Sequence, residues 1–155
     1  MLSFWQKYKS LILNMALPLG VGLAAGLLTM GAMEDFASLN QPPLSPPGWL
    51  FPVVWTLLYA LMGVSSWLIR RKDKQAPPLS VYYLSLVFNF FWPIFFFVCR
   101  MWLFSLIWLL VLWILVLIYT VGYFRIDRRA GWLQIPYAVW CAFAIYLNFG
   151  ILLLN

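Results

Sequence analysis

Residues 102–124 read WLFSLIWLLVLWILVLIYTVGYF. This run of 23 residues has no charge and no proline, and Ser105 and Thr120 are its only aliphatic hydroxyls. A membrane-spanning helix needs about 20 mostly apolar residues to cross about 30 Å of hydrocarbon, whereas a barrel strand needs about 10 with alternating character. The run is too long and too continuous for a strand, so it predicts a spanning helix. Working outward, four more runs qualify: about Leu11 to Met33, Trp49 to Ile69, Ser80 to Cys99, and Gly131 to Leu154. None of the five contains Lys, Arg, Asp or Glu. The expectation is an all-α membrane protein, a bundle of five transmembrane helices forming one domain over residues 1–155. The first run is too long for a cleaved signal peptide, whose apolar core is about 7–15 residues.

Composition agrees. The chain is 65% hydrophobic and 9% charged, against about 25% charged in a soluble domain, so there is too little charge to cover a water-facing surface. The net charge of +6 does not point to nucleic acid. The Lys and Arg residues sit in short clusters between apolar runs, the pattern of topology signals. Lys7 and Lys9 precede the first run. Arg70, Arg71, Lys72 and Lys74 lie between the second and third, and Arg125, Arg128 and Arg129 between the fourth and fifth. Five spans put these nine on one side, leaving Arg100 with Glu34 and Asp35 on the other. The positive-inside rule places that basic side, and the N-terminus, in the cytoplasm. With this bias and no targeting presequence legible, a bacterial plasma membrane is the expected location.

The usual catalytic parts are missing. There is no His, hence no imidazole base, no His metal ligand and no axial His for haem iron. The four carboxylates all lie in connections, and no span carries the buried ionisable residue that marks an ion or proton path. Cys99 and Cys141 have neither CxxC nor metal-site spacing and read as small apolar residues in packed helices. No catalytic residue, metal ligand or required cofactor is predicted.

Aromatic and amide groups remain. Trp5, Trp49, Trp67, Trp102 and Trp132 lie near span ends, where an interfacial belt accounts for them. Trp108 and Trp113 suit lipid-facing packing. Trp55, Trp92 and Trp140 lie at middle to outer depth, where they could line one cavity beneath the first connection. That connection, residues 34–48, holds Pro42, Pro43, Pro46 and Pro47. It reads as a stiff, non-helical loop long enough to act as a lid. Pro-Pro-Leu-Ser occurs at 42–45 and 77–80; both read as helix starts, with Ser80 as an N-cap. Pro93 cannot donate to the Asn89 carbonyl, leaving that carbonyl and the Asn89 amide at one depth, either for a ligand or to repair the kink. Asn14 and Pro18 repeat the spacing, and Pro136 likewise frees the carbonyl of Trp132. Gly22 and Gly26 form a GxxxG pair that permits close helix approach, in a dimer or within the chain.

Three motifs carry a family resemblance. The first is Pro46-Pro47-x-Trp49-x-Phe51-Pro52-x-x-Trp55-Thr56-x-x-Tyr59, the second Phe88-Asn89-x-x-Trp92. The third is Pro136-Tyr137-x-x-Trp140-x-x-Phe143-Ala144, followed by Leu147-Asn148. Together they closely resemble the tryptophan-rich sensory protein/translocator protein family, also called the peripheral benzodiazepine receptor family, in its bacterial type. The resemblance implies a five-helix bundle, commonly a homodimer, with a cavity capped by the first loop. It implies flat apolar ligands: porphyrins such as protoporphyrin IX, haem, sterols, and isoquinoline- or benzodiazepine-type compounds. It carries ligand-binding positions over to Phe36, Pro46, Phe51, Trp55, Tyr59, Asn89, Trp92, Trp140 and Ala144. The expected function is a membrane receptor, sensor or translocator. The alternative is an enzyme that oxidatively degrades porphyrin through Trp55 and Trp140.

Overall fold

Ser3 starts the first helix. Its hydroxyl accepts from the Gln6 backbone N–H at 3.3 Å while the Gln6 side chain accepts from the Ser3 N–H at 3.1 Å, a reciprocal capping box that satisfies two end donors. The computed structural model describes residues 3–155. Helix α1 spans Phe4–Thr29, so it begins about two turns before the predicted Leu11. The apolar count found the hydrocarbon segment but not the capped turns ahead of it, where Lys7 and Lys9 are exposed and their long stems keep the charges in water.

A 3₁₀ turn, Met30–Ala32, leads into a short helix α2, Met33–Ala37. This corrects the reading of 34–48 as wholly non-helical. The prolines begin only at Pro42, and Glu34 and Asp35 sit in the first turn of α2, where carboxylates favour a helix N-terminus. The remaining helices are α3 (Leu50–Lys72), α4 (Pro77–Pro93), α5 (Trp102–Ile126) and α6 (Arg128–Leu154), and a π-helical turn, Ile94–Val98, extends α4. Pro77 and Pro78 occupy the first turn of α4 after Ala76, where a missing N–H costs nothing. Ser80 therefore lies inside the helix and is not its cap. The other Pro-Pro-Leu-Ser is a turn rather than a helix start: Ser45 N–H donates to Pro42 O at 3.3 Å, and Leu44 takes φ 67°.

Five helical segments are long and apolar enough to cross a bilayer. The chain is an integral membrane protein, helical throughout its spans, with no strand among the described residues. α1 packs on α3 and α4, α3 on α6, α6 on α5, and α5 on α4, closing a ring. α1 and α3 approach each other closely at Gly63. A side chain at Gly63 would meet the Met15 backbone and, at 2.9 Å, the Asn14 carbonyl. Pro18, four residues on, cannot donate to that carbonyl, so bare backbone fits there.

Hydrocarbon offers polar groups no partner, and the ring supplies partners for many of its own, although Tyr82 OH, Thr120 Oγ1, Gln134 Nε2 and the Trp67 and Trp140 indole N–H groups have none among the described residues. Ser65 Oγ donates to Ala130 O at 2.8 Å, Ser66 pairs with Tyr123 at 2.9 Å, and Tyr119 donates to Gln134 Oε1 at 2.9 Å. Trp108 and Trp113 are half-buried rather than lipid-facing. The Trp108 indole N–H donates to Phe88 O at 2.8 Å and that of Trp113 to Ala138 O at 3.1 Å, tying α5 to α4 and α6.

Asp127 organises the basic end. It accepts from the Arg129 backbone N–H at 2.9 Å, capping α6, and pairs with Lys72 and Arg129, each at 3.2 Å. The Arg129 side chain, with help from the backbone bond and Lys72, holds this carboxyl down at about 2. The folded state thus keeps Asp127 more acidic than the unfolded chain. Its stabilisation is complete above the ordinary carboxylate range near about pH 4 and is lost as pH falls through about 2. Thermal melting in detergent should show a fall between those values that Asp127→Asn, which keeps the cap but not the charge, largely removes. Asp127→Ala should cost about 1 kcal/mol at neutral pH through the lost cap.

Candidate functional site

The cavity that contains most of the predicted aromatics is about 590 Å³ and lies between α1, α3 and α4, in the half of the bundle away from the basic end. Phe51, Trp55, Tyr59, Asn89 and Trp92 all line it. Residues 51, 55 and 59 recur every four positions, so one face of α3 presents them in a row. Asn89 and Trp92 follow the same logic on α4.

Asn89 is the polar centre. Tyr59 OH donates to its Oδ1 and its Nδ2 donates to Tyr137 OH, both at 2.5 Å. The amide therefore joins α3, α4 and α6 instead of repairing the Pro93 kink. One layer further out, Asn148 repeats the device: its Oδ1 accepts from Trp92 Nε1 at 3.2 Å and from Ser105 Oγ at 3.0 Å, and its Nδ2 donates to Trp102 O at 3.0 Å. The hydroxyls of Thr29 and Thr56 turn back to Ala25 O and Pro52 O, at 2.9 and 2.7 Å. The amide and hydroxyls on the cavity wall are thus already engaged, and no charged side chain is in the lining. The site can stack and enclose a flat apolar molecule; its lining holds no carboxylate, amine or imidazole, and no cluster of metal-ligating side chains occurs among the described residues.

Trp55 is the hub. Its ring stacks on Tyr59 at 5.6 Å and meets Trp92 and Trp140 at 6.4 Å and Tyr137 at 6.2 Å. Trp140 is therefore behind Trp55 and does not line the cavity; Phe51 touches it from the side at 6.1 Å. Ala144 is buried on α6, also outside the lining. Phe36 rests on Phe96 and Phe97 at 5.5 and 5.0 Å, so it backs Phe97, which does line the cavity. Pro46 is half-buried in the first loop and away from the lining.

Sequence reasoning missed the opposite wall, formed by Leu23, Gly26 and Leu27 of α1, Met30 of the 3₁₀ turn and Met33 of α2. The signal was the glycine pair. Gly22 faces the Tyr59 ring so closely that a side chain there would displace it, whereas nothing lies within 4 Å of a side chain placed at Gly26. Gly22 makes a tight contact within the chain and Gly26 leaves space. The cavity also opens sideways between α1 and α3, where Leu23, Leu27, Pro52 and Thr56 are exposed.

The first loop is strapped over this end. Tyr146 OH donates to Pro43 O at 2.6 Å, Asn40 and Asn155 exchange hydrogen bonds at 3.1 and 3.0 Å, and Pro42 fills the space beside Gly150. Asp35 pairs with Arg100 at 3.0 Å, tying α2 to the turn before α5.

Residues 14–154 match the model of the TspO/MBR family. The chain belongs to that family. Among TspO/MBR relatives, the tryptophan-rich protein TspO of Chlorobaculum tepidum is 33% identical, covering 93% of this chain and 97% of its own. The tryptophan-rich sensory protein of Cereibacter sphaeroides is 36% identical over 82% of this chain and 83% of its own. The human translocator protein is 33% identical over 74% and 70%.

The Asn89 clamp can be tested by stability. Asn89→Leu leaves two buried hydroxyls without partners and should lower unfolding stability by roughly 1–3 kcal/mol. Adding Tyr59→Phe and Tyr137→Phe to that variant should recover part of the loss, as judged by thermal melting in one detergent.

Proposed function

We propose that this protein is a membrane receptor, sensor or translocator that takes flat apolar ligands, porphyrins and isoquinoline- or benzodiazepine-type compounds among them, into the cavity around Trp55. One observation carries the reading. A space of about 590 Å³ is walled by Phe51, Trp55, Tyr59 and Trp92, lacks charged lining, and has its hydroxyls and amide already bonded. Its size falls within the roughly 300–1,000 Å³ of small-molecule sites, which are mostly apolar with few polar groups. A porphyrin would lay its ring on Trp55 and keep its carboxylates at the mouth, since no cation waits inside. The names of two relatives, tryptophan-rich sensory protein and translocator protein, support the same class of role.

The enzymatic alternative draws less support. Oxidative degradation through Trp55 and Trp140 needs both indoles at the substrate, and only Trp55 borders the cavity. Pro46, Phe36, Trp140 and Ala144 enter the proposal as the lid and the outer support of the aromatic wall. The charge bias supports a cytoplasmic basic end, and a bacterial plasma membrane is the proposed location.

Two experiments test this. In fluorescence-quenching titrations with protoporphyrin IX and an isoquinoline ligand, Trp55→Ala should weaken binding by roughly 30-fold, the scale of a lost aromatic anchor. Gly26→Leu should fill the cavity and weaken binding without lowering the melting temperature. Trp132→Ala, exposed at the basic end, should bind like the parent. Equal affinities in folded Trp55→Ala and Gly26→Leu variants would remove the cavity reading. For orientation, Ser38→Cys should react with an impermeant thiol reagent on intact cells and Gln75→Cys should not, both in a Cys99→Ser background.

A further inference from the structure

A second cavity, of about 330 Å³, lies at the opposite, basic end, in the crevice where α1 passes α4 and the end of α3. Lys9 and Arg70 stand at its mouth with Gln6, and Leu13 and Leu17 line it further in. It shares no residue with the aromatic cavity. Arg70 is held in place: its guanidinium donates to Tyr83 OH at 2.9 Å. Neither Lys9 nor Arg70 has a carboxylate partner among the described residues. Of the nearby acids, Asp127 is taken by Lys72 and Arg129, and Asp73 accepts from the Gln75 backbone at 2.8 Å. Two uncompensated cations therefore flank one opening.

We propose that this crevice binds one anionic phospholipid of the adjoining leaflet, its phosphate between Lys9 and Arg70 and an acyl chain along Leu13 and Leu17. The spacing supports a lipid over a soluble anion. Residues 9, 13 and 17 repeat every four positions, so they follow one stripe of α1 and the apolar wall descends about 12 Å below the cation. Leu13 and Leu17 are 61% and 47% exposed, so the stripe is open to a chain lying alongside it. A free phosphate would use only the mouth. Basic pockets between spanning helices suit anionic head groups, and each cation near the surface adds to the attraction.

The test is lipid binding by native mass spectrometry of the whole chain in detergent, with phosphatidylglycerol and phosphatidylcholine as probes. One phosphatidylglycerol should bind in preference to phosphatidylcholine, and Lys9→Gln with Arg70→Gln should weaken it by roughly 30-fold. Lys7→Gln with Arg128→Gln removes the same charge away from the crevice and should change little. Lys9→Gln alone should weaken binding with an unchanged melting temperature, because Lys9 is exposed. Tyr83→Phe, which frees the guanidinium, should give an intermediate loss. Equal loss in the two double variants would mean diffuse charge attraction and overturn the site, as would parity between the two lipids. Full displacement by millimolar inorganic phosphate would overturn the lipid as occupant.

Discussion

A buried amide in a bilayer must find its partners inside the protein, and the bundle is organised around two that do. Asn89 is bonded on both sides, to Tyr59 and Tyr137. Asn148 is bonded to Trp92, Ser105 and the Trp102 carbonyl. Water cannot substitute for a lost partner in hydrocarbon, so each amide fixes the relative rotation of three helices. The aromatic rings that occupy the gaps between those helices inherit that rotation. Apolar packing alone would permit sliding, because lipid tails are as apolar as the side chains they replace.

The cavity is what this arrangement leaves open. Tyr59 is held from above by Asn89 and from the side by Gly22, and Trp55 stacks on Tyr59. The far wall is α1, which lacks bulk at Gly26. The void lies beside an amide and hydroxyls that are already bonded to the protein. Under the proposed function, a charged group would find no counter-charge in this lining, whereas a neutral ring would meet aromatic and aliphatic side chains. Nearer the basic end the same ring of helices is filled, with Tyr82, Tyr119 and Tyr123 in mutual contact. The bundle is therefore hollow at one end and solid through most of the other.

Much of this was legible in the sequence because membrane physics writes it in one dimension. Five uncharged runs define the spans, and Lys and Arg clustering divides the connections into two sides. The motif residues on α3 and α4 converge because i, i+4 spacing places them on one face. What was not legible depended on how the faces meet. Trp140 shares the depth of Trp55, but depth does not reveal that one ring stands in front of the other. The α1 wall is not legible because it is made of ordinary aliphatic residues and a glycine, Leu23, Gly26 and Leu27, which any lipid-facing helix could carry. The start of α1 and the helical turn at Met33–Ala37 were missed because capping and end charges, not hydropathy, set them. Trp108 and Trp113 looked lipid-facing until their indole N–H groups were seen bonded to neighbouring carbonyls.

For a ligand of the kind proposed, the strapped loop and the lateral opening together would decide which reservoir supplies the cavity. The loop is anchored at Asp35 to one turn and at Asn40, Pro42 and Pro43 to the end of α6 and Asn155, so it is held across this end of the bundle. The gap between Leu23, Leu27, Pro52 and Thr56 faces the hydrocarbon. A molecule arriving there has already dissolved in the bilayer, and its driving concentration is its mole fraction in lipid. An affinity expressed per volume of water is then a product of two equilibria, partition and capture. It will change with the amount of membrane or detergent in the tube even when the protein does not.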